Sequence, residues 1–206
     1  MSEMYLVLSW RYVESLCRKI AFEIIEDGFI PDKIVSLVKG GVFVGSLLSD
    51  HLGVSKIACL DVREAGVKVE GDRLLVVDDF INTGSTMKGA LNHVEGEEVR
   101  TASLLMLEKS EFIPDYLGDY LTDHYWVIFP WNVIEDLSEL IHDILHEEGE
   151  MSQSKLRRVV SERGLNIHTL EAVFPGKFEE VLELLELKGA IKKKLEGERV
   201  YWRLVE

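Results

Sequence analysis

Cysteine is scarce in this 206-residue chain. The two present, Cys17 and Cys59, are too few for a disulfide framework and lack the spacing of a metal site. Long apolar runs are missing too: Leu74-Leu75-Val76-Val77 is far short of a membrane span. The amino terminus, MSEMYLVLSWR, has no basic segment leading into an apolar stretch, which predicts no export, no membrane association and a cytoplasmic location. No internal repeat and no low-complexity tract occurs. Cations are in deficit, with 23 Lys and Arg against 37 Asp and Glu and a formal charge of -14. The deficit is uneven. Residues 1–149 hold 12 against 27 (net -15), whereas residues 150–206 hold 11 against 10 (net +1). A body this acidic repels duplex DNA and anionic lipid through its overall field, yet leaves room for a local cationic pocket that takes a small anion.

With 47% hydrophobic and 29% charged residues, the chain has enough apolar material to bury a core. Residues 10–27 space Val13, Leu16, Cys17, Ile20 and Ile24 at helical intervals, and Gly28 and Pro31 stop that helix. The β-branched run 34–38 ends in Lys39-Gly40-Gly41, after which Val44, Leu47, Leu48 and Leu52 resume a helical period. Strands are expected over 57–60, 74–77, 101–107 and 125–129, with a helix starting near Ser85. Strands alternating with helices over about 130 residues predict an α/β domain with a mainly parallel sheet flanked by helices. Ligands of such sheets bind beyond the strands' carboxyl ends, where the strand order reverses. That rule selects Lys39-Gly40-Gly41, the segment 78–86 and Lys109.

The stretch Leu74-Leu75-Val76-Val77-Asp78-Asp79-Phe80-Ile81-Asn82-Thr83-Gly84-Ser85-Thr86 carries the chemistry. A buried strand delivers two adjacent carboxylates, a small-residue turn follows, and a helix begins. Backbone N–H groups in such a turn cradle an anion, and Thr83, Ser85 and Thr86 add hydroxyls. Acids just ahead of a phosphate cradle suit a ligand that also carries hydroxyls or a divalent cation, as a ribose phosphate does. The Gly-Lys-Ser/Thr of a Walker loop is absent, which disfavours triphosphatase chemistry. An isolated Thr-Gly-Ser-Thr would be read as a plain helix cap; the full run weighs against that.

This run resembles the phosphoribosyl pyrophosphate signature of type I phosphoribosyltransferases. The segment IVSLVKGGVFVGSLLSDHLGV (34–54) is similar to the pyrophosphate loop and following helix of the 6-oxopurine members, the xanthine-guanine and hypoxanthine-guanine enzymes. Lys109, followed by Pro114-Asp115-Tyr116 and Trp126-Val127-Ile128-Phe129-Pro130-Trp131, resembles their base-binding region. The likeness covers residues 8 to 135. It implies that Lys39, Gly40 and Gly41 hold pyrophosphate, that Asp78 and Asp79 hold the ribose hydroxyls and meet Mg²⁺ through water, and that Ile81, Asn82, Thr83, Gly84, Ser85 and Thr86 take the 5′-phosphate. By the same likeness Lys109 donates to the purine O6, Trp126 stacks on the base, backbone at Val127 and Ile128 reads the 2-position, and the protein forms a homodimer. The implied ligands are phosphoribosyl pyrophosphate with a purine base, or a nucleoside monophosphate.

Three departures stand out. Asn82 occupies a position where Asp is usual and can serve as general base; an amide cannot take a proton near neutral pH. Lys39 replaces an Arg, keeping the charge and losing the bidentate fork. The segment between Leu60 and Leu74 is short for a closing lid, although Arg63 and Lys68 within it are expected to reach the pyrophosphate. Two readings stay open: a Mg²⁺-dependent purine phosphoribosyltransferase in which Asn82, Asp78 and Asp79 are the catalytic set, or a non-catalytic sensor or regulator that binds phosphoribosyl pyrophosphate or nucleotide and acts through a winged-helix-like tail.

The domain boundary is expected at 148/149, after an amphipathic helix over 137–146. The tail then reads as three helices (from Ser152, near 167–173 and over 178–187) and a hairpin over 190–205, resembling a winged helix. Its third helix carries Glu179, Glu180, Glu183 and Glu186, which disfavours DNA and favours dimerisation, lid or packing duty. His142 and His146 sit at metal-binding spacing but on the solvated face of their helix, and both cysteines are expected in the core.

Overall fold

The computed structural model describes residues 4–64 and 66–205. Three residues behind the export expectation (1–3), Ala65 in the short segment after Leu60, and Glu206 lie outside the described residues. In chain order the elements are β1 (Met4–Val7), α1 (Trp10–Glu26), β2 (Lys33–Leu37), α2 (Gly41–Leu52), β3 (Ile57–Leu60), β4 (Val69–Glu70), β5 (Arg73–Ile81) and α3 (Ser85–Leu91). There follow β6 (Val94–Glu95), β7 (Glu98–Leu107), β8 (Tyr116–Leu121), β9 (Tyr125–Ile128), α4 (Val133–Glu148), β10 (Met151–Ser152), α5 (Gln153–Glu162), α6 (Ile167–Val173), α7 (Lys177–Leu187), β11 (Ile191–Glu196) and β12 (Arg199–Leu204).

The chain divides into two compact units, Trp10–His124 and Met1–Ser9 with Tyr125–Glu206. The first is the α/β unit. Its five-stranded sheet has the order β3-β2-β5-β7-β8, and every neighbouring pair is parallel. The central strand β5 buries Leu74, Leu75, Val76 and Val77 completely, because a parallel strand covered on both faces has no solvent side to make polar. Each such side chain contributes about 1.5–3 kcal/mol of burial. The residues spaced for a helix over 10–27 are the ones α1 buries: Val13, Leu16, Cys17, Ile20 and Ile24. On the face carrying α3, Met87 and Ala90 pack with Val35, Leu37, Leu74, Val76 and Ile81.

The order also locates the working edge. From β2 the chain turns through α2 to β3 on one side and later returns to β5 on the other. The direction of winding therefore reverses between β2 and β5, and the carboxyl ends of those two strands flank the crevice where parallel sheets take ligands.

The other unit has its own core: Val133, Leu137, Ile141, Ile144 and Leu145 of α4 pack with Leu156, Val159 and Val160 of α5, Phe178, Val181 and Leu182 of α7, and Trp202 of β12. The position expected for a domain boundary, 148/149, marks the end of α4, a helix inside this core. A three-stranded antiparallel sheet, β10-β12-β11, closes the unit's far end. Ser152 caps α5, its Oγ accepting from the Lys155 N–H at 3.3 Å.

Several expectations are corrected. The strand at 125–129 does not join the main sheet; β9 pairs in parallel with β1 in a separate two-stranded sheet. The main sheet's outer strand is instead β8, for which no strand is expected above. β5 runs through Ile81 rather than stopping at Val77, so Asp78 and Asp79 lie within the strand. Cys17 is buried, but Cys59 is exposed, because it stands on the edge strand β3. Among the described residues no helix is long and apolar enough to cross a membrane.

Candidate functional site

Two loops converge at the carboxyl edge of β2 and β5. After β2 the chain passes through Val38 and Lys39, joined by a cis peptide, into Gly40 and Gly41. Both glycines are demanded by contact. A Cβ at Gly40 would stand 1.6 Å from Asp79 Oδ2, and one at Gly41 would stand 2.5 Å from the Val77 carbonyl oxygen. Only hydrogen in place of a side chain lets this backbone lie against the acids of β5. The structure thus brings Lys39-Gly40-Gly41 together with Asp78 and Asp79.

Asp78 is 8% exposed. Its Oδ1 accepts the Asp79 N–H at 3.0 Å. Burial pushes its carboxyl well above the usual carboxylate range, and the neighbouring Asp79 charge pushes it the same way. Beyond it a cavity of about 230 Å³ is lined by Asp78, Phe80, Ile81, Asn82, Thr83, Gly84, Ser85, Thr86 and Met87. Asn82, Thr83, Ser85 and Thr86 are exposed at its wall, whereas Ile81 is buried in the core beneath. Gly84 turns the chain into α3 with φ at +84°, a left-handed conformation that glycine adopts without strain. Thr83 Oγ1 accepts the Ser85 N–H at 3.3 Å and donates to Ser85 Oγ at 3.1 Å. The turn's own hydroxyl therefore holds one of the donors that an incoming oxyanion would use.

The segment after β7 reaches the same edge. Lys109 is exposed in the turn that follows Leu107. Phe112 packs on the 82–86 turn: a Cβ at Gly84 would lie 2.2 Å from Phe112 Cβ. Lys88 of α3 and Glu111 pair at 3.3 Å. No local pattern marks Phe112 in the sequence, because its partner lies 28 positions away.

The remaining expected residues fall elsewhere. Trp126, Val127 and Ile128 form β9 in the other unit, where the Trp126 indole N–H donates to Asp136 Oδ1 at 3.1 Å. Trp126 lines a cavity of about 180 Å³ with Tyr5, Asp136, Glu139, Leu140 and Asp143, and the Ile128 side chain is wholly buried. Arg63 is engaged by Asp61 at 2.6 Å, and the guanidinium holds that carboxyl down to about 2. Lys68 pairs with Glu95 of β6, which leads into the amino end of β7. That is the end of the sheet opposite the crevice, so Lys68 is not a pyrophosphate ligand in this arrangement. His142 and His146 are both exposed on α4, their rings parallel with centroids 6.3 Å apart. Among the described residues no group of three or more His, Cys, Asp or Glu could hold a metal ion.

No family model matches the chain. Over 102 residues it is 34% identical to the hypoxanthine/guanine phosphoribosyltransferase of Methanopyrus kandleri, covering 39% of this chain and 54% of that protein. Over 90 residues it is 33% identical to phosphoribosyltransferase domain-containing protein 1 of Xenopus laevis, covering 40% of each. The chain therefore spans about half or less of the length of these curated relatives. Among solved structures, the purine phosphoribosyltransferase from Pyrococcus horikoshii superposes with a TM-score of 0.55 at 26% identity, over 62% of this chain and 93% of that one.

Proposed function

The relatives and structural neighbours of this chain are purine phosphoribosyltransferases and its α/β unit has the type I phosphoribosyltransferase fold, and from that premise we propose that it transfers the phosphoribosyl group of phosphoribosyl pyrophosphate to a 6-oxopurine base. A base nitrogen bonds to C1 of the ribose, the bond from C1 to the pyrophosphate oxygen breaks, and a nucleoside monophosphate and pyrophosphate leave. The observation that carries this reading is the packing of Gly40 directly against Asp79, whose neighbour Asp78 lines the cavity walled by residues 80–87. It sets a glycine loop, a pair of carboxylates and a phosphate-sized turn side by side at the sheet's reversal point.

In this reading the N–H groups and hydroxyls of 82–86 take the 5′-phosphate, with a phosphate oxygen replacing Thr83 Oγ1 on the Ser85 N–H. Asp78 and Asp79 accept from the ribose hydroxyls. Backbone N–H groups of Gly40 and Gly41, with the Lys39 charge, hold pyrophosphate. Lys109 donates to the base. Asn82 hydrogen-bonds without accepting a proton, which leaves rate enhancement to positioning and to charge stabilisation. Mg²⁺ is commonly held by one or two carboxylates plus substrate phosphates, and Asp78 with Asp79 fits that donor set through water. The chemistry such an ion would supply there is neutralisation of charge on the pyrophosphate.

A homodimer belongs to the same reading. Residues 149–206 are read as a winged-helix-like module for packing or dimerisation. Its cations favour that over DNA, because Arg157 is bound by Glu179, Arg163 by Glu147 and Lys194 by Glu196 and Glu150.

The test is a product assay with hypoxanthine, guanine, xanthine and adenine, each with phosphoribosyl pyrophosphate and Mg²⁺. A nucleotide from at least one 6-oxopurine is expected. A folded sample that binds phosphoribosyl pyrophosphate without yielding product would favour the sensor reading, and one that does neither would defeat both.

A further inference from the structure

The turn at 82–86 is bonded within and packed from outside. The segment 82–86 has Gly84 in a left-handed conformation, and the helix it enters, α3, is only seven residues long. What lies against Gly84 is Phe112: the space a Gly84 side chain would need is occupied by Phe112 Cβ, with Phe112 Cγ and Cα 3.3 and 3.4 Å from the same point. Phe112 is itself held in place. Ser110 Oγ donates to the Phe112 carbonyl oxygen at 3.0 Å and accepts the Phe112 N–H at 3.2 Å. The ring packs against the core cluster that includes Ile81 and Met87, the residues on either side of the turn. Lys88 and Glu111 tie the same segment to α3 from outside. All of these contacts lie within the α/β unit.

We propose that Phe112 is a positioning residue for the 5′-phosphate site. It acts through Gly84, pressing the 82–86 turn into the geometry that aims its N–H groups at the cavity. Because Lys109 stands on the same tightly bonded segment, phosphate affinity and the placement of Lys109 are set by one packing contact. The inference rests on the phosphate role given to 82–86 above. The atom against Gly84 is Phe112 Cβ, which alanine keeps; the ring anchors that atom on the cluster of Ile81 and Met87, so removing the ring frees the contact from the core that holds it in place.

The experiment compares wild type, Phe112→Ala, Phe112→Leu and Ser110→Ala by calorimetric titration with two probes, phosphoribosyl pyrophosphate and inorganic pyrophosphate, both with Mg²⁺. Pyrophosphate engages Lys39, Gly40 and Gly41 without needing the phosphate turn. Phe112→Ala is expected to weaken phosphoribosyl pyrophosphate about tenfold or more, as displaced positioning groups do, and to leave pyrophosphate within about twofold. Phe112→Leu, which refills most of the space, is expected to restore the affinity. Should Phe112→Ala fail to fold, Ser110→Ala releases the segment without opening the core, with an expected loss of about threefold for phosphoribosyl pyrophosphate only. Equal affinity of these variants and wild type for phosphoribosyl pyrophosphate overturns the inference, and so does an equal loss for both probes, which marks general damage. A wild type that binds pyrophosphate but not phosphoribosyl pyrophosphate defeats instead the phosphate role of 82–86, and with it the premise.

Discussion

Both units pair surface carboxylates with cations, Asp61 with Arg63 and Glu98 with Arg73 in the α/β unit among them, and they differ in what stands on the strands beneath. In the unit built on α4 to α7, carboxylates are matched by cations on the surface: Glu179 and Glu171 with Arg157, Glu147 and Glu148 with Arg163, Glu150 and Glu196 with Lys194. Such pairs are solvated and contribute little each. In the α/β unit, two carboxylates stand next to each other within the carboxyl half of the central strand, and burial raises one of them. A protein retains such a costly arrangement where a ligand uses it. The contrast separates carboxylates paired at a solvated surface from a buried pair of the kind that clusters at functional sites, which is where the proposed function puts the ribose.

Breaking the ligand-binding side of this comparison should give the largest effect. Gly84→Ala puts a Cβ 2.2 Å from Phe112 Cβ at a position with φ of +84°, so phosphoribosyl pyrophosphate affinity should fall about a hundredfold with a stability loss of about 1–2 kcal/mol, read by titration and thermal melting. Asn82→Asp comes next: a carboxylate able to accept a proton should raise turnover about tenfold or more in a steady-state assay.

Asp78→Asn sharpens the contrast in sign. Because the folded carboxyl binds its proton more tightly than the unfolded one, the wild type loses stability as pH rises from the unfolded value, about 3.9, through the raised folded value. The amide removes that loss. The variant should melt higher than wild type at neutral pH, by about 2–4 °C for each kcal/mol relieved, and the difference should vanish below about pH 4. Ligand affinity should fall at the same time, which is the trade expected of a functional acid and not of a structural one.

On the other unit, Arg157→Ala removes a guanidinium bound at 2.7 and 2.8 Å to the Glu179 carboxylate and stacked 4.8 Å from the Phe178 ring centre. A loss of about 1–2 kcal/mol is expected in denaturant melts, with phosphoribosyl pyrophosphate affinity unchanged. The smallest perturbation is chemical: maleimide should label Cys59 in the native protein, while Cys17, buried and with its thiol pushed up to about 12, should react only on unfolding.

Much of the α/β unit was legible because its signals are local. The continuous apolar run 74–77 marks a two-sided buried strand, the helical spacing of α1 names its buried face, and the thirteen residues ending at Thr86 hold strand, acids, turn and helix start in order. What escaped depends on partners far away in sequence. Residues 125–128 look like any other strand, and only their pairing with Met4–Val7 takes them out of the main sheet. Cys59 sits in an apolar pattern, yet the strand order places it at an open edge. The extension of β5 to Ile81 follows from its ladder with β7, which continues to Met106. Phe112 could not be read at all, since its importance is a matter of what it touches.

The most direct measurement is amide chemical-shift mapping of the ¹⁵N-labelled protein titrated with ribose 5-phosphate and, separately, with ribose. The expected result is that the phosphate sugar moves the amides of Gly84, Ser85 and Thr86 most and that ribose leaves them in place. Shifts centred elsewhere, or the same response to both sugars, would contradict a 5′-phosphate site at this turn.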